Sequence, residues 1–597
     1  MMKTVIKAMT KNKYFFPFLG FLLTLAAVLP CSSGQAEELN LTFDYGNLPA
    51  EKQFLGDIVR TRIAERSDAG TLAVAYAIDT TLAPEEFTLT TDGEQTNTAI
   101  ITGGDFLALI HGTGQLLRLI DYAPEGFTVP AVQLREKPNT SFRCCYFARH
   151  FHNWYHMASP EEIERYIEDL ALWGYNTILT QIVPRINFTS QPDQAQWDQA
   201  VAGFLVCGNS AKRLGMRVGS GCAPNQGWRD RPDELKATPN TDPKRGNNGF
   251  NVCYAQKGAP GYLADITRKI LKSIGPDTLD VYDFWPFDEG GCECDQCAPW
   301  ATNGFLRMSD EQARIISDEK LANCEFILAT WCFHEDEFET AWKWLESHPN
   351  FKYVLADSHG DFPQYPLDHP LPEGHSLITF PEISMWGRFP WGGYGATALP
   401  NHFEELWRQV RGHVDGCMLY SEGPFEDINK IIVGGFYYGD IPADDSLRQY
   451  ARYELCGIDP DEFVTLIHNF EKVHRFPETA VPDEYRQTAV ESMRSVIKMD
   501  GAICSKLRGS WRWRQIYCRA LTDYERYVHG TTNTTTYNAA IKELQTLYHS
   551  DLFPEGCVDE MHYCITPYLS YGDIQNLPRP EEELGRDGRD APAGRLP

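Results

Sequence analysis

Apolar and polar positions follow two rhythms along this chain, and the change between them divides it. TLAVAYAI at 71–78 alternates with period two, as does TNTAIITGG at 96–104, so both predict half-buried strands. The stretch between them, TLAPEEFTLTTDG, reads as turn. DFLALIHGTGQLLRLI at 105–120 places its apolar residues at helical spacing. Residues 37–135 are therefore expected to form a small α+β domain.

From 142 to about 440 a longer unit repeats: an apolar run, a polar loop, then a helical pattern. The runs end in CCYFARHFHNW, NTILTQIVPR, MRVGSGCAPNQG, TLDVYDFWPFDEGG, CEFILATWCFHE, KYVLADSHGD, SLITFPEISMWG and GCMLYSEGPFED. Between them lie helical segments such as SPEEIERYIEDLALWGY at 159–175, where Ser159 and Glu162 have the spacing of a capping box. ALPNHFEELWRQVRGHV at 398–414 is another. Eight strand–helix units predict an α/β fold, a (β/α)8 TIM barrel over 136–440, with its active site at the carboxyl ends of the strands. Residues 441–575 read as a helical domain. The tail at 576–597, rich in Pro, Gly and charge, is expected to be disordered.

Composition narrows the function. A chain of 597 residues is long enough for two or three domains. The net charge of −28, without a clustered basic stretch in the folded part, excludes nucleic acid as a partner, because phosphate neutralisation needs grouped cations. Aromatics at 12% suit both a large core and stacking on sugar rings. At the N-terminus, Lys3, Lys7, Lys11 and Lys13 precede the apolar run FFPFLGFLLTLAAVLP and then CSSGQAEE, the order of a secretory signal over 1–36. Cleavage after Ala36 fits the small-residue rule. Cys31 offers a rival reading, a lipid-anchored cysteine. Either reading exports the protein to a periplasmic, cell-surface or secreted location.

Candidate chemistry gathers at the predicted strand ends. In FWPFDEGGCECDQC, Asp288 and Glu289 stand side by side after strand four. Mutual repulsion raises one carboxyl pKa and makes a general acid usable near neutrality. Glycosidic cleavage needs such an acid and a second group at the anomeric centre. Glu382 after strand seven and Glu422 after strand eight compete for that second role, and Asp357 and His359 follow strand six. Arg149, His150, Asn153, Trp154, Asn225, Trp331, Asp357, His359, Trp386 and Tyr420 are the candidate substrate contacts. No cofactor is implied, and the expected partner is an oligosaccharide or polysaccharide.

Three segments carry a resemblance. EEFTL, TAIITGGD and LIHGTGQLLRLI resemble the domain that precedes the barrel in glycoside hydrolase family 20, the β-N-acetylhexosaminidases, and in family 67 α-glucuronidases. The adjacent Asp-Glu after strand four resembles the family 20 catalytic pair, and SFRCCYFARHFHNW looks like its strand-one segment. The resemblance implies that Glu289 is the general acid, that Asp288 orients the 2-acetamido group, and that Arg149 grips sugar hydroxyls. The chain departs from the family at Tyr146, where an Asp is usual, and at Phe-Trp-Pro-Phe, where His-x-Gly-Gly is usual.

Three other readings stand beside this one: an α-glucuronidase-like or other glycosidase with Glu289 as acid and Glu382 or Glu422 as nucleophile or base, a carbohydrate-binding barrel without turnover, and a zinc-dependent hydrolase. Cys292, Cys294 and Cys297 bear on the last. With a fourth ligand they suit tetrahedral zinc, but only one such cluster is visible. Export and an even number of cysteines besides Cys31 favour disulfides, so a disulfide staple is expected to hold the Glu289 loop, with no metal.

Overall fold

The computed structural model describes residues 38–93, 97–149, 153–182, 194–226, 231–239, 241–242, 251–286, 291–331, 333–357, 362–383, 395–474, 482–529 and 534–552. The predicted signal segment with Cys31, the Asp288–Glu289 pair, His150, His359, Trp386 and the tail lie outside them.

Two kinds of sheet differ in how they are buried. In the first, Leu39–Asp44, Gly70–Ile78, Thr98–Gly103, Phe87–Asp92 and Ala131–Glu136 lie side by side in that order. The first three run parallel and the last two pair antiparallel. Strand Leu39–Asp44 alternates between exposed and half-buried positions, as a sheet with one covered face should. Phe87–Asp92, expected as turn, is instead a central strand that buries Phe87, Leu89 and Thr91.

Helix Phe106–Leu119 lies between this sheet and the barrel, and two glycines make the sandwich thin. A Cβ on Gly112 would sit 2.7 Å from Ile101 of the sheet. A Cβ on Gly114 would sit 1.9 Å from the carbonyl of Leu172, the last residue of barrel helix Pro160–Leu172. That helix carries the predicted capping box: Ser159 N–H donates to Glu162, and Glu162 N–H to Ser159 Oγ.

The second sheet is a closed barrel of eight parallel strands. Its strands are Phe142–Phe147, Thr177–Thr180, Arg217–Cys222, Val281–Phe284, Glu325–Ala329, Tyr353–Asp357, Ser376–Phe380 and Gly416–Ser421, strands one to eight below. Strands one, two, four and eight are buried along their whole length, which is why they read as unbroken apolar runs. The barrel interior is filled by one set of side chains, including Phe142, Tyr146, Val281, Tyr353, Phe380 and Tyr420.

Helices Ala443–Glu454, Pro460–Lys472, Asp483–Ala502, Trp511–Val528 and Thr535–Leu547 follow, as predicted. A buried ionic network joins all three parts. Arg512 donates to Asp169 and to Asp427, at 2.9 Å each, and approaches Glu454 at 3.4 Å. From the N-terminal domain, Arg66 reaches Glu454 at 3.1 Å, and Arg62 pairs with Asp169 and Glu168. Among the described residues no helix is long and apolar enough to cross a membrane.

Candidate active site

Strand parity decides which candidates face the barrel mouth. Side chains alternate across a strand, so Ile378 and Phe380 inside strand seven place Glu382 on the same inner side. Met418 and Tyr420 inside strand eight likewise carry Glu422 inward. The two strand ends are stitched together. Glu382 and Tyr420 form a parallel bridge, and Tyr420 N–H donates to Pro381 O at 3.0 Å. The Tyr420 hydroxyl donates to Glu422 Oε1 at 2.7 Å, and both glutamates are buried, 5% and 1% exposed.

One helix holds both loops from behind. Asp427–Gly439 carries Asn429, whose Nδ2 donates to Ile383 O at 2.9 Å, next to Glu382. It also carries Lys430, whose ammonium donates to Gly423 O at 2.6 Å, next to Glu422. Glu426, at the start of this helix, accepts from Glu422 N–H at 2.5 Å, Gly423 N–H at 2.9 Å and Ser421 Oγ at 3.1 Å. From the last helical region, the Tyr548 hydroxyl donates to Glu422 O at 2.9 Å.

Beside the glutamates stands a wall of rings. Trp285 lies 4.7 Å from Phe380 and 5.5 Å from Trp331 between centroids. Phe380 lies 5.8 Å from Tyr420, which meets Tyr146 edge-on at 5.7 Å. Trp285 and Trp331 are only half-buried, so they end the interior packing and begin a surface. Offset and edge-on rings of this kind present a flat apolar face to a sugar's C–H groups.

Other candidates are placed elsewhere. In strand one, Tyr146 and Ala148 belong to the interior, so parity turns Arg149 outward. Its guanidinium lies against helix Gln194–Arg213, where a Cβ on Gly203 would sit 2.0 Å from Nη2. Asn153 caps the short helix Trp154–Met157: Oδ1 accepts from Tyr155 N–H, and Nδ2 donates to Ala148 O. Trp154 packs edge-on against Tyr155 and Tyr166. Asn225 donates to Asn251 Oδ1 at 3.2 Å, tying two loops. Asp357 closes strand six, opposite Phe380.

The sequence reading passed over three groups. Asp283 lies between Val281 and Trp285 on the inner face of strand four and is 2% exposed. Burial pushes its carboxyl well above the usual carboxylate range. A lone acid inside an apolar strand was the signal. Glu426 had no motif to mark it. Cys253 gathers with Cys292, Cys294 and Cys297, and all four are free thiols, where a disulfide staple was expected. Among the described residues no disulfide is formed.

No protein-family model matches this sequence, and no curated protein matches it. Solved structures do match the fold. A family 115 4-O-methyl-α-glucuronidase with specificity for decorated arabinogalactans superposes with TM-score 0.56 at 10% identity, over 90% of this chain and 80% of that one. A family 89 glycoside hydrolase from Clostridium perfringens, in complex with its substrate GlcNAc-α-1,4-galactose, gives TM-score 0.55 at 12% identity, over 85% and 68%. A family 20 β-N-acetylglucosaminidase follows at TM-score 0.47, 13% identity, 72% and 95%, a likeness too loose to weigh. The architecture is that of the first two, barrel glycoside hydrolases of families 115 and 89.

Proposed function

We propose that this chain is an exported glycoside hydrolase that cleaves N-acetylhexosaminide linkages in glycans. Glu289 is the general acid, Asp288 orients the 2-acetamido group, and Glu422 with Glu382 presents carboxylate charge to the anomeric centre. The observation that carries the reading is the pair Glu382–Glu422, buried together and wired to one helix beside the Trp285–Trp331 wall. A pyranose face can lie on the rings while oxocarbenium-like charge develops next to a fixed carboxylate. The acetamido sugar is supported by the substrate of the family 89 neighbour.

The family 115 neighbour favours a second reading, an α-glucuronidase-like hydrolase with Glu289 as acid and Glu382 or Glu422 as nucleophile or base. A chromogenic panel separates the two: β-N-acetylglucosaminide, β-N-acetylgalactosaminide, α-N-acetylglucosaminide, α-glucuronide and plain hexosides. Turnover of acetamido sugars is expected, with Glu289→Gln lowering kcat/KM roughly 100- to 10,000-fold. If Glu382→Gln and Glu422→Gln keep full activity, the acetamido group itself is the nucleophile. Activity confined to the uronide establishes the second reading. Silence on every glycan tried leaves the barrel a binding protein.

A further inference from the structure

The chain leaving strand four is held by sulfur. Cys253 comes from one loop, and Cys292, Cys294 and Cys297 come from another. Their four Sγ atoms all lie within 4.8 Å of one another, three of the residues buried and Cys294 half-buried. Cys253 Sγ stands 3.7 Å from Cys294 Sγ and 3.9 Å from Cys297 Sγ. Four thiolates about 2.3 Å from a central zinc lie about 3.8 Å apart along each tetrahedral edge. A disulfide would instead draw one pair to about 2 Å and leave the others without a common centre.

The backbone around the sulfurs is arranged as a ligand cradle. Cys297 N–H and Ala298 N–H both donate to Cys294 O at 3.0 Å, a tight turn that brings Cys294 and Cys297 to one side. Thr238 N–H donates to Cys292 Sγ at 3.1 Å, the kind of outer-shell donor that steadies a thiolate. Thr241 N–H also donates to Glu293, between the cluster's cysteines, at 2.9 Å. Among the described residues, the local apolar cluster around the sulfurs has Leu235, Val252, Tyr254, Ala259, Leu263 and Met308 as its other buried members. A core this small needs a staple.

We infer that Cys253, Cys292, Cys294 and Cys297 form a tetrathiolate site for one structural zinc ion. Soft sulfur ligands in a tetrahedral set suit zinc, and a set closed by four protein ligands leaves no position for a reacting water. The site is therefore not the centre of a zinc-dependent hydrolase. Cys292 follows Glu289 by three residues, so the ion fixes the chain just beyond the proposed acid. That consequence for catalysis rests on the proposed function; the site itself does not.

The test begins with the full chain, purified without chelator and without added metal. Elemental analysis is expected to find one zinc per chain. Mercurial modification of the thiols should release it to a colorimetric zinc indicator. Cys253→Ser should bring the zinc content down at least tenfold, while Cys324→Ser, a cysteine outside the cluster, should leave it unchanged. If Cys253→Ser fails to fold, cobalt substitution of the unaltered chain decides, since a tetrathiolate cobalt site has a strong thiolate charge-transfer band. Metal-free protein in which the four cysteines are oxidised overturns the inference, and so does iron in place of zinc. Zinc at one equivalent in a chain with no glycosidase activity would sink the proposed function and leave the site standing.

Discussion

Asp283 is a carboxylic acid enclosed by the barrel, and its protonation has a direction that can be measured. Unfolded, it ionises near pH 4. Folded, burial holds the proton to far higher pH. The native state therefore binds more protons above pH 4, so this residue makes stability fall as pH rises, by about 1.4 kcal/mol per pH unit while the difference lasts. Asp283→Asn should remove that slope and stabilise the protein at pH 8 more than at pH 5, read from urea midpoints at the two values. An unchanged pH dependence would mean that the acid is ionised in the fold. Legibility at this scale was uneven. Glu382 and Glu422 stood out because each closely follows an apolar strand, and Tyr420 because it lies near the end of one. Arg149 looked the same in sequence, yet one position of parity turns it into the helix layer. Cys253 could not be found, because proximity between loops leaves no trace in spacing.

Elements were the most legible part of the chain. Barrel strands announce themselves because burial on both faces demands continuous apolar residues. Phe87–Asp92 hid because its buried positions include only two strongly apolar side chains, and Pro84, Asp92 and Gly93 frame it with turn residues. What no periodicity reveals is that helix Asp427–Gly439 holds two strand-end loops at once. Glu426 is the test of that arrangement, since it accepts three hydrogen bonds from the Ser421–Gly423 backbone and side chain. Glu426→Ala strands buried donors, each worth roughly 1–3 kcal/mol. It should lower both the melting temperature and kcat. Glu426→Gln keeps an accepting oxygen and should recover most of both. Equal damage from the two substitutions would show that charge, rather than acceptance, holds the loop.

At the largest scale, the N-terminal sheet domain, the barrel and the helices after it are fastened together by buried charge. Burial alone would raise the Asp169 carboxyl, but Arg62 and Arg512 outweigh it and hold the group below the usual carboxylate range. Its contribution is therefore complete above about pH 4, the unfolded value, and fades as pH drops through the folded one. Asp169→Asn should cost up to roughly 3–5 kcal/mol at pH 7, because two buried guanidinium groups lose a shared carboxylate, Arg62 keeping Glu168 and Arg512 keeping Asp427 and Glu454, and the deficit should shrink on acidification. Chemical denaturation across pH 3 to 7 reads this directly, and a deficit independent of pH would assign the loss to packing. The Tyr548 hydroxyl, meanwhile, reaches back from the last helical region to the backbone of Glu422. During synthesis the barrel leaves the ribosome long before this residue does, so the loop after strand eight gains this hydrogen bond only once the following helices have been translated.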